Sequence, residues 1–271
     1  MSTGWWAVPK PNKFGDYLIF KVSNDIPTDI DYDIFKYLSK KNIQVYFALL
    51  DKKSNIKFSN INQQISDPKR DRQNLSYMDL SSFLDSLKIN KPSRDPLLAL
   101  ENVRDLTKQQ RAINYIKTNN MLYEVGLQRY FANYILTVYF GKYILNLDGF
   151  LFKNDELVLY ETKFKYPASN NKFGLNKGFI NWFKWILSRE IKIYHCILNN
   201  GTHDENVTVL DALEDPTIKK QCTWLFCEIN HDHLKPSISY APSKTHIEGK
   251  SLQKVTYMDF SEFKKIKPLF S

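Results

Sequence analysis

Hydrophobic positions along this chain keep changing rhythm, and each rhythm predicts an element. Tyr17-Leu18-Ile19-Phe20-Lys21-Val22 and Ile43–Leu50 (IQVYFALL) are short runs rich in β-branched and aromatic residues, the pattern of strands. Between them Asp33–Lys40 reads as a short helix. The polar stretch Ser66-Asp67-Pro68-Lys69-Arg70-Asp71-Arg72 predicts an exposed loop, followed by Leu75–Met78 and a capped helix from Asp79. Pro92 and Pro96 then break the pattern, so a boundary is expected near residue 105, with an N-terminal α/β region at 1–105 and a second domain at 106–271.

From 107 to about 140 the apolar spacing becomes three and four, predicting two helical pieces broken near Thr118-Asn119-Asn120. In the second piece Leu127, Phe131, Ile135 and Val138 form the apolar stripe. Glu124 falls on the same side at 100° per residue. A carboxylate there needs a partner, unless it sits at the stripe's edge and reaches solvent or a basic residue.

Residues 143–165 (YILNLDGFLFKNDELVLYETKFK) read as two strands joined by a tight turn at Lys153-Asn154-Asp155. Side chains alternate along a strand, so Glu161 and Lys163 share a face with Leu157 and Leu159, and Val158, Tyr160, Thr162 and Phe164 take the other. A strand apolar on both faces lies inside a sheet, where a carboxylate and an ammonium are costly unless paired or metal-bound. After this hairpin come a polar loop (Lys165–Gly178), a helix from about Leu175 to Ser188, and a buried strand at Ile191–Leu198. The tail adds a strand at Cys222–Ile229, another at Lys254–Met258 and a helix from Asp259.

Asp148, twelve intervening residues, then Glu161-x-Lys163 resembles the signature of the PD-(D/E)XK nuclease superfamily. Asn146-Leu147 stands before Asp148 where the family pattern has proline. The resemblance covers the hairpin and, more loosely, about a hundred residues around it. It implies an α/β fold with a restriction-endonuclease-like αβββαβ core and a central mixed sheet, given a further strand near 138–145. It also implies metal-dependent phosphodiester hydrolysis of nucleic acid, with Mg²⁺ (or Mn²⁺) held by Asp148, Glu161 and the Thr162 carbonyl. Glu124 is the candidate extra ligand and Lys163 the residue that orients or deprotonates the attacking water. DNA is the expected substrate, with RNA open, and a homodimer or a larger nuclease complex the expected assembly. The alternative is a nucleic-acid-binding or assembly protein that kept the fold and lost catalysis.

Charge fits such a partner. Thirty-eight Lys and Arg against 29 Asp and Glu leave +9, which favours a polyanion through phosphate contacts and counterion release. Lys165, Lys172 and Lys177 after the hairpin, and Lys69, Arg70 and Arg72 in the polar loop, are the candidate phosphate contacts; a solvated turn accounts for the second group equally well. No glycine-rich phosphate cradle occurs, which argues against an ATPase or dinucleotide site. The three cysteines, Cys196, Cys222 and Cys227, suit a reducing cytoplasm, and the N-terminal MSTGWWAVPKPNK lacks a signal-peptide layout. No apolar run approaches the ~20 residues of a membrane span.

Three further features have ordinary readings. Cys222-x4-Cys227-x3-His231-x-His233 contains zinc-ligand residue types, but its cysteines alternate to opposite faces of a strand and read as structural thiols. His195 reads as a core residue or one that supports the site residues from its strand, and Trp5-Trp6 as a pair packed onto the domain rather than stacked on bases. Tyr77–Phe83 matches Tyr257–Phe263 at five of seven positions, read as shared strand-to-helix punctuation.

Overall fold

The computed structural model describes residues 1–50, 55–65, 75–89, 91–93, 95, 106–141, 143–165, 171–201, 207–235, 240–242 and 252–265. The chain forms two compact units. Unit 1 comprises Met1–Val103 and Ile113–Leu157, and unit 2 comprises Arg104–Ala112 and Val158–Ser271. The boundary expected near 105 falls on residues outside the described set, and the division differs from it. Unit 1 takes back 45 residues after that point, because a later strand completes its sheet.

Unit 1 opens with β1 (Trp5–Pro9), β2 (Tyr17–Ser23), α1 (Asp29–Lys40), β3 (Gln44–Leu50) and β4 (Ile56–Asn60). The helices α2 (Ile61–Ile65) and α3 (Leu80–Ser86) follow, then α4 (Leu106–Thr118), which belongs to unit 1 only from Ile113 onward. Next come α5 (Leu122–Tyr130), a π-helical segment (Phe131–Leu136) and α6 (Thr137–Phe140). Two strands, β5 (Leu145–Leu147) and β6 (Gly149–Lys153), end the unit's run of elements. The sheet runs β4-β3-β2-β1-β5. Its one parallel pair, β2 with β3, is bridged by α1, as a parallel connection requires. Where an extra strand is expected near 138–145, residues 137–140 are helix (α6) and the strand is β5, at 145–147, which pairs with β1. It therefore serves the sheet of unit 1, a departure from three consecutive strands in one sheet.

Both faces of this sheet are buried. On one, Trp6, Phe20, Tyr46 and Phe58 pack with Phe83 of α3 and with Leu127, Phe131 and Ile135. Phe58 and Phe83 stack at 3.9 Å between centroids. The stripe predicted from sequence thus faces the core, and Ile135 and Leu136 of the π-helical segment are both buried. On the other face Trp5 meets Phe35 of α1 and Phe150 of β6 edge to face. The Trp pair packs inward, and Trp6 Nε1 donates to Gln128 Oε1 at 2.6 Å.

The hairpin turn after β6 is Asn154-Asp155, at φ 53° and 60°. Positive φ at both positions is what a two-residue type I′ turn demands, and Asn and Asp tolerate it. The second arm is β7 (Glu156–Lys165). The units divide inside this arm, after Leu157.

In unit 2, β7 runs parallel to β9 (Lys192–Asn199). The crossover between them contains β8 (Lys172–Asn176) and α7 (Lys177–Leu187). The helices α8 (Val209–Glu214) and α9 (Pro216–Gln221) lead to β10 (Thr223–Glu228), antiparallel to β9. The last strands are β11 (Tyr240–Pro242), β12 (Leu252–Asp259) and β13 (Lys264–Lys265). β13 pairs β10, and β11-β12-β8 forms a separate sheet. Residues 172–176, expected as loop, are therefore strand: β12 supplies the partner, a contact between segments some eighty residues apart that local polarity does not announce. The helix expected from Asp259 is a single 3₁₀ turn, Phe260–Glu262. Its capping box between Asp259 and Glu262 is formed all the same. Asp79 likewise caps α3, accepting from Ser82 N at 2.8 Å. A seven-residue helix and a three-residue turn share only the punctuation. Mixed α/β architecture is thus the observed class.

Candidate active site on the third strand of the hairpin region

Glu161 lies in the middle of β7, 1% exposed, and its carboxylate forms an ion pair with the ammonium of Lys163. The alternation of β7 puts both on the face of Leu157 and Leu159, as read from sequence. Lys163 also stands 5.5 Å from the centre of the Phe179 ring on α7, so that helix covers this face. Lys163 keeps 34% of its side-chain surface exposed, against 2% for Glu161. The pair is thus a buried carboxylate capped by a cation that reaches water.

Two neighbouring strands continue the row. His195 of β9 is paired in register with Glu161, and Cys227 of β10 with His195. Residues directly opposite in a ladder share a face, so Glu161, His195 and Cys227 lie side by side. His195 is fully buried, and its Nδ1 lies 3.3 Å from the backbone carbonyl of Glu161. A carbonyl only accepts, so this nitrogen carries the proton. His195 is thus a core residue whose ring is bonded to the strand that bears Glu161.

The other residues proposed from sequence are placed as follows. Thr162 is half-buried on the opposite face of β7. Asp148, half-buried between β5 and β6, and Glu124, in the first turn of α5, belong to unit 1. Glu124 is exposed, which corrects its assignment to the buried side. The reason is position: α5 begins at Leu122, and the stripe meets the core from Leu127 onward, a turn later. Its field is felt by Lys21, a basic partner of the kind the second reading named. Lys172 is on β8, opposite Asp259 in register, and helps hold that carboxyl below its ordinary range after the larger effect of the Ser261 N–H. Lys165 ends β7 and Lys177 begins α7. Lys69, Arg70 and Arg72 lie outside the described residues.

Among the described residues, Cys227, His233 and Glu262 are the group of three side chains close enough to share a metal, with ligand atoms within 4.8 Å of one another. Cys222 and His231 of the zinc-like spacing are not in it, and Glu262 was not foreseen. Hydrogen bonds account for this cluster without an ion. Asn230 Oδ1 accepts from the backbone N–H of Asp232 and His233, and the Asn230 N–H donates to His233 Nδ1 at 3.0 Å. That leaves the proton on Nε2, which donates to Glu262 Oε2 at 2.5 Å. Glu262 Oε1 accepts from Asp259 N–H at 3.0 Å, closing the second cap. The bond from His233 is also what chiefly holds the Glu262 carboxyl below its usual range. A metal on Nε2 would drive the proton to Nδ1, against the Asn230 N–H. Burial, then the charges of Glu262 and Glu228, push the Cys227 thiol up to about 11, so it stays protonated near neutrality. An Asx turn at Asn230 interlocked with the Asp259–Glu262 capping box describes the cluster best.

Unit 1 holds a buried charge cluster of its own. Lys21 Nζ lies 3.2 Å from Asp31 Oδ1 and donates to Ser2 Oγ and to the Thr3 carbonyl. Asp31 also accepts from Ser2 Oγ and completes a capping box with Thr28.

No protein-family model, curated protein or solved structure matched the chain. Among the described residues no helix is long and apolar enough to cross a membrane.

Proposed function

We propose that this protein is a metal-dependent nuclease of the PD-(D/E)XK type, hydrolysing phosphodiester bonds in nucleic acid, with DNA the foremost substrate. The observation that carries the reading is the Glu161–Lys163 pair: a carboxylate 1% exposed, on an internal strand, joined to a lysine whose head still meets solvent. Burying a carboxylate costs several kcal/mol before pairing, so its presence here calls for a role. Pairing alone is a structural role; the open side of Lys163 is what suits chemistry.

The donor set fits a hard cation. Glu161 and the Thr162 carbonyl are oxygen donors of the kind Mg²⁺ takes, and Asp148 enters the reading from the sequence motif. Bound Mg²⁺ would neutralise phosphate charge and acidify a coordinated water. The protein's own contribution is then positional. Glu161, fixed by its strand, presents a defined carboxylate. Lys163, beside Glu161 and 34% exposed, would hold the attacking water or the developing negative charge. The net charge of +9 favours approach of a polyanion. Glu124, exposed on α5, has no part in this scheme.

The test is cleavage of supercoiled, linear and single-stranded DNA, and of RNA, in Mg²⁺ or Mn²⁺, by the wild type, Asp148→Ala, Glu161→Ala and Lys163→Ala. Metal-dependent cutting lost in all three variants is expected. Equal activity in Lys163→Ala and wild type would sink the assignment. DNA bound but never cut would favour a binding or assembly protein on the same fold.

A further inference from the structure

We infer that His195 is a positioning residue for Glu161, acting through the backbone of β7; the inference rests on the nuclease reading for its functional part. Three observations meet on this side chain. It is fully buried, and it stands in register beside Glu161 on the same face of adjacent parallel strands. Its Nδ1 reaches the Glu161 carbonyl at 3.3 Å. Its ring has Phe263 against it at 6.2 Å between centroids, an apolar wall that limits the orientations open to it.

A histidine carries both donor and acceptor nitrogens, and burying them costs free energy that a leucine or phenylalanine at the same point of the strand would not incur. A carbonyl has two lone pairs, so the one at Glu161 can take this bond in addition to a ladder bond. The peptide fixed in this way is the one that follows the Cα bearing the candidate ligand, and its other end is Thr162, whose carbonyl is the next proposed donor. Holding that peptide therefore limits the freedom of two donors at once. The imidazole does so without approaching substrate itself. Partners of this kind change ligand affinity or rate about 10- to 100-fold when removed.

Asparagine can place an amide N–H near the position of Nδ1, whereas leucine fills similar space with no donor. His195→Leu and His195→Asn therefore separate packing from positioning. Three measurements are made on the full chain: the ¹⁵N signature of the His195 ring, Mn²⁺ affinity by calorimetry, and metal-dependent DNA cleavage, with urea denaturation confirming that each variant folds. The expected result is a protonated, pyrrole-type Nδ1 in the wild type. His195→Leu should weaken Mn²⁺ binding and lower kcat, each by about 10-fold or more with DNA KM unchanged, and His195→Asn should restore most of both. An unprotonated Nδ1 overturns the inference whatever the enzyme does. So does a folded His195→Leu that binds Mn²⁺ and cleaves like wild type, or an Asn variant no better than Leu. If wild type neither binds Mn²⁺ nor cleaves, the nuclease reading falls and the positioning role with it. The ring signature alone then reports whether the hydrogen bond exists.

Discussion

Each unit sets a lysine–carboxylate pair into its sheet region, and the two are finished differently. In unit 1 the side chains of Lys21 and Asp31 are 11% and 4% exposed. An ammonium has three donors, and those of Lys21 find Asp31, Ser2 Oγ and the Thr3 carbonyl. Asp31 is bound in turn by Ser2 and by the Thr28 cap. In unit 2 the carboxylate of Glu161 is as deeply buried, but Lys163 is 34% exposed and leans on an aromatic ring. The first pair is closed on itself and fastens the N-terminal residues to α1 and β2. The second has one member able to turn toward water or a ligand. Burial of charge marks both; the exposure of the lysine is what separates the second pair from the first.

That contrast gives its largest expected effect in unit 1. Asp31→Ala leaves the Lys21 ammonium buried without its carboxylate and should cost about 3–5 kcal/mol in urea denaturation, a large part of an ordinary domain's stability. The double change Lys21→Met with Asp31→Leu should recover most of that loss, because a well-packed apolar pair often replaces a buried ion pair at little cost. A loss under about 1 kcal/mol for Asp31→Ala would mean that water reaches the pair, and the distinction between closed and open would fail.

The matching change in unit 2, Glu161→Gln, should be much milder for folding. It removes the buried charge and leaves Lys163 room to point outward, so a cost of about 1 kcal/mol is expected on the same denaturation curve. Activity should behave in the opposite way, falling roughly 10²- to 10⁴-fold for Lys163→Met if the lysine handles the attacking water. Cleavage rates and denaturation midpoints measured on one preparation decide both halves.

Acid sharpens the contrast further. Burial raises the Asp31 carboxyl, but Lys21 and the hydrogen bonds from Ser2 and Thr28 outweigh it and leave the group below its ordinary 3.8. A depressed carboxyl stabilises the fold above the unfolded value, and that contribution disappears as pH falls through the folded one. Unit 1 should therefore lose stability below pH 3.8, and Asp31→Asn should flatten that part of the curve. Lys21 is lowered from 10.5, chiefly by desolvation, so the unfolded chain binds more protons between the folded value and 10.5 and stability should rise with pH there. In unit 2, Asp211 is held at about 2, mainly by the side chain and backbone of Thr208 at the start of α8 and then by Arg111. Its window runs from 3.8 down to about 2, and solvent screening keeps the effect under about 1 kcal/mol. Thr208→Ala should shrink it, as read from midpoints at pH 4 and pH 2.

How much of this could be read from sequence follows the range of the contacts. The strands Tyr17–Ser23, Gln44–Leu50, Glu156–Lys165 and Lys192–Asn199 announce themselves, since each is a dense apolar run. The stripe through Leu127 and Phe131 is equally plain. What escaped depends on distant partners: β8 becomes strand only because β12 lies beside it, and β5 joins β1, drawing 113–157 into the first unit. Charges followed the same division. A cation in a strand apolar on both faces is the signal that marks Lys163, and Lys21 in YLIFKVS carries it just as clearly, with Thr28 three residues before Asp31 as the second clue. The Lys21 pair is harder to see because its carboxylate is ten residues away, across the start of a helix, whereas Glu161 is two from Lys163. The bond from His195 had no sequence signal at all, because strand order decides which residue stands beside Glu161.

The smallest expected effect is none, and it tests a different kind of closure. Cys227, His233 and Glu262 have the residue types of a zinc site, yet the Asn230 N–H fixes the His233 proton on the nitrogen that a metal would need. Zinc in modest excess should leave the melting temperature unchanged and produce no thiolate–metal absorption when cobalt replaces it. His233→Ala should cost about 1 kcal/mol, the usual worth of a cap, in the same way with or without metal. A metal-dependent rise in melting temperature that His233→Ala abolishes would show that the Asn230 cap yields to an ion. The cluster would then be a ligand site, rather than, like Lys21 and Asp31, a set of groups satisfied within the fold.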